Sequence, residues 1–240
     1  MFLYGMRYGY YGYYMDPTYI LVIVGLVLCL VTSFMVQNTY KKYAKVRAAS
    51  GLTGAQAAER ILHACGIYDV TIEQVGGSLT DHYDPRKKVL RLSDSVYGSN
   101  SVAAIGVAAH ECGHAVQHQS GYLPLHLRSI MVPLTNIGSK LAFPCILLGI
   151  IVSSFRILVP VGIVLFALTV LFALITLPVE FNASKRAIRI LDEQHILYDD
   201  EVKGARKVLS AAAMTYVASA IAAILQLLRL WLLYGGRRRD

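Results

Sequence analysis

The chain has 240 residues, of which 55% are hydrophobic and only 16% are charged, and its formal net charge is +8. This surplus of apolar residues excludes an ordinary soluble protein and indicates a membrane protein. The basic residues lie beside apolar runs rather than on a face with interleaved aromatic residues, so no nucleic-acid partner is expected. The four cysteines are scattered, which supports neither a disulfide framework nor a cysteine metal clip.

Three apolar stretches, 19–36, 157–179 and 211–233, are long enough to cross a hydrocarbon core of roughly 30 Å. A fourth, 141–155, is short, and it suits a span, a re-entrant piece or a buried helix. Polar residues and Pro133 interrupt residues 123–140, which predicts a segment on the membrane surface. A tight turn at 153–156 would then complete a helical hairpin that returns the chain to its starting side.

The charges around the first apolar stretch predict the orientation. Residues 1–16 are rich in Tyr and Gly and predict an interfacial or disordered lead-in to an anchor that is retained. Only Arg7 precedes the anchor, whereas Lys41, Lys42, Lys45 and Arg47 follow it, so the positive-inside rule places residues 38–130 in the cytoplasm. The arginines at 237–239 would then lie outside, which the rule disfavours, and the crossing of the last helix is left open.

The stretch after the anchor predicts a small soluble fold. Thr53 and Gln56 form a capping-box pattern before a helix that Gly66 ends. Short strands are predicted around Val70–Val75, at Leu79 and around 89–92, with turn residues at 84–87. The edge of this sheet either pairs with an extended substrate or covers the following helix.

Residues 107–116 contain the pattern H-E-x-x-H in a predicted helix that starts after 99–101 and continues to about His118. His110 and His114, four residues apart, project from one face and can reach a single Zn²⁺, with Glu111 beside them to handle a proton. The metzincin continuation is excluded, because Gln117 and Ser120 stand where it needs Gly and His.

A catalytic zinc site normally needs a third protein ligand, and Glu180 is the best candidate. Small residues at 183, 184 and 187 share its helical face, so this face can lie flat against the zinc helix. The alternative is an interfacial salt bridge with a lysine or an arginine. His118 is too far along the same helix to join one tetrahedral centre. The other candidates, Asp192, Glu193 and His195, rank lower.

Four segments carry a resemblance to a known family: 77–85, 89–93, 108–117 and 177–184. With the anchor and the paired apolar stretches, they resemble the YugP-like neutral zinc metallopeptidases of the bacterial cytoplasmic membrane. The resemblance implies a multi-pass membrane protein with metalloprotease activity. More distantly, the segment after Glu180 is similar to that of HtpX-like and CAAX-prenyl membrane proteases. Those proteins carry Asp directly after Ala183, where this chain has Ser184, so a carboxylate that would orient a zinc histidine is missing.

The predicted fold is a mainly α membrane protein with a small β-hairpin or sheet. A zincin-like, gluzincin-type core would be attached to about three to four transmembrane helices. The predicted segments are a lead-in and anchor (1–37), a cytoplasmic zincin-like portion (38–130), a transmembrane hairpin (131–179), a cytoplasmic helix with the third ligand (180–208), and a C-terminal membrane helix with a basic tail (209–240).

The predicted function is that of a zinc endopeptidase of the cytoplasmic membrane, with one Zn²⁺ per chain held by His110, His114 and Glu180. Glu111 would take a proton from the zinc-polarised water and deliver it to the leaving amine. Because Glu180 follows an apolar stretch, membrane-bound or membrane-proximal polypeptides are the expected substrates. Candidate substrate or oxyanion groups, which the sequence does not rank, are His82, Tyr83, Arg186, His195 and Tyr198.

Two other functions compete with this prediction, and the oligomeric state is open. A non-proteolytic zinc-binding membrane scaffold or quality-control partner would usually close all four zinc positions with protein ligands. A metal carrier would need polar residues along its spans, which are almost free of them.

Overall fold

The computed structural model describes residues 16–236. The predicted Tyr-rich lead-in before residue 16 and the terminal arginines therefore lie outside the described residues. The described chain is mostly helical and contains one small sheet. Its helices and strands, in chain order, are α1 (Tyr19–Tyr43), α2 (Gly54–Ala64), β1 (Thr71–Val75), β2 (His82–Asp84), β3 (Val89–Ser93), α3 (Asp94–Tyr97), α4 (Val102–Gln119), α5 (Leu123–Ile151), α6 (Leu158–Glu193) and α7 (Asp199–Gly236).

Four of the described helices, α1, α5, α6 and α7, are long and apolar enough to cross a membrane. The three long apolar stretches of the sequence correspond to parts of α1, α6 and α7. The fourth candidate is longer than predicted, because residues 123–140 continue into 141–151 as one helix. The predicted membrane-surface segment is therefore part of this helix, and its position relative to the membrane stays a prediction.

Helix α5 stays continuous although it contains Pro133 and Pro144. Proline is tolerated in apolar helices where other groups satisfy the freed backbone. Small polar side chains of α5 bond to the helix itself: Ser129 Oγ donates to Leu125 O and Ser139 Oγ donates to Asn136 O. The hydroxyls of Ser129 and Ser139 therefore have acceptors within the helix itself.

The long helices form a layer in the spatial order α1, α7, α6, α5, with α6 between α7 and α5. Close contacts through small residues hold this layer together: a Cβ added to Gly25 would lie 3.0 Å from Ala222 Cβ. Large apolar side chains such as Phe34 and Phe143 remain exposed on its outside, as expected of surfaces that face lipid. The short turn predicted between α5 and α6 is present as a 3₁₀ turn at Ser153–Phe155.

Outside the layer, α2, the sheet and α3 pack around α4. The capping box at Thr53 and Gln56 is confirmed, and Gly66 follows α2 with φ +71°. Ser101 caps the start of α4, and its side chain accepts a hydrogen bond from Ala104 N at 3.2 Å. The core therefore forms around the helix that carries H-E-x-x-H.

The sheet has the order β1-β3-β2, in which β3 pairs parallel with β1 and antiparallel with β2. The predicted sheet before α4 is present. Its second strand along the chain, however, is His82–Asp84, and the strand predicted at Leu79 is wrong. Leu79 has φ +59°, a left-handed conformation that an extended strand cannot contain. Strand β2 lies at the edge of the sheet and contacts α4.

Candidate metal centre

Helix α4 places His110 and His114 side by side, with ring centroids 4.8 Å apart. Glu180 of α6 approaches both rings. Its Oε2 lies 3.3 Å from His110 Nε2 and 3.7 Å from His114 Nε2. One ligand atom of each residue lies within 4.8 Å of the other two, so the three predicted ligands form one cluster that could hold a metal ion.

The close crossing of α4 and α6 explains how Glu180 reaches the histidines. A Cβ added to Gly113 would lie only 2.6 Å from Ala183 O, so glycine is required where the two backbones meet. Ala183 and Ala187 are fully buried on the same face of α6. The small-residue face predicted after Glu180 is thus the surface that lies against α4.

Glu180 is only 2% exposed, and its two carboxylate oxygens have different surroundings. Arg128 of α5 lies with its guanidinium nitrogen 3.1 Å from Oε1. Oε2 is buried and accepts no hydrogen bond from the described residues, although it faces the two imidazole nitrogens. A buried oxygen without a partner is costly. The donor set of two imidazoles and one carboxylate fits Zn²⁺, which would give this oxygen its partner.

Both histidines have their second ring nitrogen engaged. His110 Nδ1 lies 3.1 Å from Ser184 Oγ, and His114 Nδ1 lies 3.0 Å from Gln117 Oε1. The Gln117 amide nitrogen donates to Val179 O at 2.8 Å, so its oxygen must be the acceptor and His114 Nδ1 the donor. In the neutral ring this leaves the lone pair on Nε2, toward Glu180. Hydrogen bonds of this kind orient metal-binding histidines.

The charges around His114 act on its proton. Burial lowers the pKa of His114, but the contact with Glu180 and the negative charge of Glu111 outweigh burial, so that the pKa is raised above its usual value. The same negative surroundings favour a cation at Nε2. A metal ion would therefore compete with a proton for this nitrogen.

Glu111 lies beside the cluster and is 9% exposed. Its Oε2 accepts a hydrogen bond from the backbone nitrogen of Tyr83, at 3.1 Å. Strand β2 is thereby joined to the H-E-x-x-H helix. The Tyr83 hydroxyl lies 3.0 Å from His118 Nδ1, so His118 is engaged with the sheet and not with the metal cluster.

The remaining predicted groups lie apart from the three ligands: within the described residues, none of them has a hydrogen bond or ion pair with His110, His114 or Glu180. Exposed His82 lies near Thr80 O and Arg91, and Arg186 donates to Asn182 Oδ1 at 2.8 Å. His195 and Tyr198 stack on each other in the turn between α6 and α7. Their predicted role as oxyanion or substrate groups stays a prediction.

Sequence reasoning missed Gln117 and Arg128. Gln117 is completely buried and follows His114 by three residues, a spacing that places both on one helical face. That spacing was a usable signal. Arg128 had no such signal, because its partner Glu180 lies on another helix.

The described residues thus combine four helices long and apolar enough to cross a membrane with a cluster of two histidines and one glutamate, supplied by two crossing helices, that could hold a metal ion. The chain belongs to the family described as "Putative neutral zinc metallopeptidase", whose model matches residues 18–235. It is 48% identical over 214 residues to the "Putative membrane protease YugP" of Bacillus subtilis (strain 168), which covers 89% of this chain and 95% of that protein. No solved structure matches the chain.

Proposed function

We propose that this protein is a zinc endopeptidase that cleaves membrane-bound or membrane-proximal polypeptides. The observation that carries the proposal is the cluster of His110, His114 and Glu180 with Glu111 beside it. Zn²⁺ bound there would supply Lewis-acid chemistry, which lowers the pKa of a bound water from 15.7 to about 7. The expected zincin-like core stays a prediction.

Each protein group around the centre has a task in this proposal. Arg128 holds Glu180 Oε1 and so turns Oε2 toward the histidines. Ser184 and Gln117 fix the two rings. The backbone N–H of Tyr83 holds one oxygen of Glu111, which leaves the other carboxylate oxygen to accept a proton and later deliver it to the leaving amine.

The number of protein ligands favours catalysis over a structural role. Structural zinc sites usually close all four positions with protein ligands, whereas catalytic sites leave one open. Within residues 16–236, the cluster contains three His, Cys, Asp or Glu ligands. This count supports a hydrolase more than a non-proteolytic scaffold.

The distribution of charge supports a cytoplasmic position for the centre. Cations are frequent near the end of the helical layer that carries Glu180, and they include Lys41, Lys42 and Lys185. The turn at the opposite end of the α5–α6 hairpin carries Arg156 alone. By the positive-inside rule, we place the Glu180 end in the cytoplasm. Since α6 is itself a candidate span, a substrate held at the membrane would reach the centre most easily.

The test is Glu111→Gln, compared with wild type and with Glu59→Gln, which changes an exposed glutamate of α2. Zinc content is measured on each protein in detergent micelles. Hydrolysis is measured with casein and with one polypeptide that is supplied in a soluble form and in a membrane-tethered form. General acid–base groups typically contribute 10²–10⁴-fold, so we expect a loss of about that size at Glu111, with zinc retained. Glu59→Gln should behave as wild type.

Unchanged hydrolysis by Glu111→Gln would overturn the proposed mechanism. Equal rates on the soluble and the tethered polypeptide would overturn the substrate class but leave the chemistry intact.

A further inference from the structure

A groove of about 740 Å³ lies between α6 and α7, next to the metal centre. Phe181, Lys185 and Arg189 line it from α6, and Arg206, Ser210 and Met214 line it from α7. Ser184, which contacts His110, also lies in its wall. The groove therefore shares a helix with the centre, but it contains none of the three ligands.

The groove is apolar at one end and basic at the other. Because α6 and α7 are joined by a short turn and run in opposite directions, Phe181 lies opposite Met214, and Arg189 lies opposite Arg206. Phe181 is 48% exposed and Met214 is 41% exposed, on the side of the groove that continues into the apolar part of α6. From Phe181 to Arg189 the helix rises about 12 Å, at 1.5 Å per residue.

The basic end has few negative partners. Lys185, Arg186, Arg189 and Arg206 line the groove, against the single acidic lining residue Asp192. Arg189 forms an exposed ion pair with Glu193, at 3.7 Å. Lys185 and Arg206 form no ion pair or side-chain hydrogen bond within residues 16–236. The groove thus offers cations that are available to an external anion.

We propose that this groove binds an anionic phospholipid of the leaflet in which the metal centre lies. The phosphate of the headgroup would contact Lys185, Arg189 and Arg206, and the start of an acyl chain would pack between Phe181 and Met214. Lys and Arg bind phosphate well, and basic pockets between membrane helices accept anionic headgroups. An acidic polypeptide could use the cations but would gain little from the apolar end at bilayer level.

The proposal rests on the membrane placement of the helices and not on zinc chemistry. Its test uses the full chain in detergent micelles, with equal amounts of phosphatidylglycerol and phosphatidylcholine added. Native mass spectrometry counts the bound lipids. The variant Lys185→Gln/Arg189→Gln/Arg206→Gln removes the basic end. The matched control Lys41→Gln/Lys45→Gln/Lys207→Gln removes the same charge from exposed positions that do not line the groove.

A Lys or Arg near an anionic membrane surface contributes about fivefold to binding, so three cations give up to about 100-fold. We expect wild type and the control to retain one phosphatidylglycerol in preference to phosphatidylcholine, and the groove variant to lose the preference by at least about tenfold. Zinc content, measured on the same samples, should not change. Its loss in every sample, wild type included, would count against the proposed function and not against the lipid site.

Equal retention of phosphatidylglycerol by the groove variant and wild type would overturn the proposal. So would displacement of the lipid by an acidic peptide, poly-glutamate, at equimolar concentration, because the groove would then be a polypeptide site.

Discussion

Helix α6 crosses two other helices at close range, and both crossings depend on glycine. Near its start, a Cβ added to Gly162 would lie 2.7 Å from Ala142 O of α5. Near its end, a Cβ added to Gly113 of α4 would lie 2.6 Å from Ala183 O. The two crossings therefore bring backbones together to almost the same distance.

The side chains around the two crossings differ. Beside Gly162 the nearest side chain is apolar Ile146. Beside Gly113 the interface contains Glu180, 2% exposed, and Gln117, completely buried. Close packing of small residues is thus a general means of joining membrane helices. It produces a candidate metal centre only where buried polar side chains converge and still lack a partner.

The largest expected difference between the two crossings is in bound zinc, and the variants Gly113→Ala and Gly162→Ala measure it. Each added methyl group overpacks a helix contact, at a cost of about 1–3 kcal/mol in stability. Only Gly113→Ala moves α4 away from Glu180, so it should lose nearly all bound zinc, while Gly162→Ala should keep it. Elemental analysis of the purified proteins measures zinc, and thermal unfolding measures stability. Full zinc in Gly113→Ala, or loss of zinc in Gly162→Ala, would contradict this distinction.

A smaller effect is expected for Arg128→Gln, which removes the ion pair to Glu180 Oε1. Loss of groups that orient metal ligands typically costs 10–100-fold in affinity, and we expect a reduction in that range, measured by competition with a zinc chelator. Arg128→Lys keeps the charge and should recover part of the affinity. Arg156→Gln, at the opposite end of the hairpin, is the control. Wild-type affinity in Arg128→Gln would show that Arg128 does not position the ligand.

The smallest effect is expected for Ser184→Ala, which removes the hydroxyl beside His110 Nδ1. A reduction of about tenfold in zinc affinity is expected, at the low end of the same range. Ser184→Asp introduces a carboxylate beside His110 Nδ1 and should bind zinc at least as tightly as wild type. Ser129→Ala, which removes an exposed hydroxyl of α5, serves as the control. If Ser184→Ala matches Ser129→Ala, the hydroxyl does not orient His110.

Local patterns were enough for much of the fold. The capping box at Thr53, the glycine after α2 and the tight turn near 153 follow from short-range chemistry, and each was predicted from the sequence. Residues 123–140 were separated from 141–151 because polar residues and Pro133 interrupt them, whereas the structure continues both stretches as one helix. Leu79 was predicted to lie in a strand because it is apolar. A single apolar residue, however, gives no periodic pattern that distinguishes a strand from a loop.

The candidate site likewise has parts that the sequence predicted and parts that it did not. The spacing of His110 and His114 fixes their common face within one helix, and the small residues after Glu180 favour its approach. Neither pattern predicts Arg128, because an ion pair between helices leaves no spacing in the sequence. The missing carboxylate at position 184 suggested an unsupported histidine, but the structure places the Ser184 hydroxyl 3.1 Å from His110 Nδ1.

The sequence by itself determined three of the four long apolar helices and the helix that carries H-E-x-x-H, because these depend on composition and on spacing within single helices. The resemblance of four segments to a known family indicated the family to which the chain belongs. Only the tertiary structure decided which oxygen of Glu180 faces the histidines, which side chains hold their rings, and where a basic groove lies beside them. These features depend on how α4, α5, α6 and α7 approach one another, and distances between helices are set by packing rather than by position along the chain.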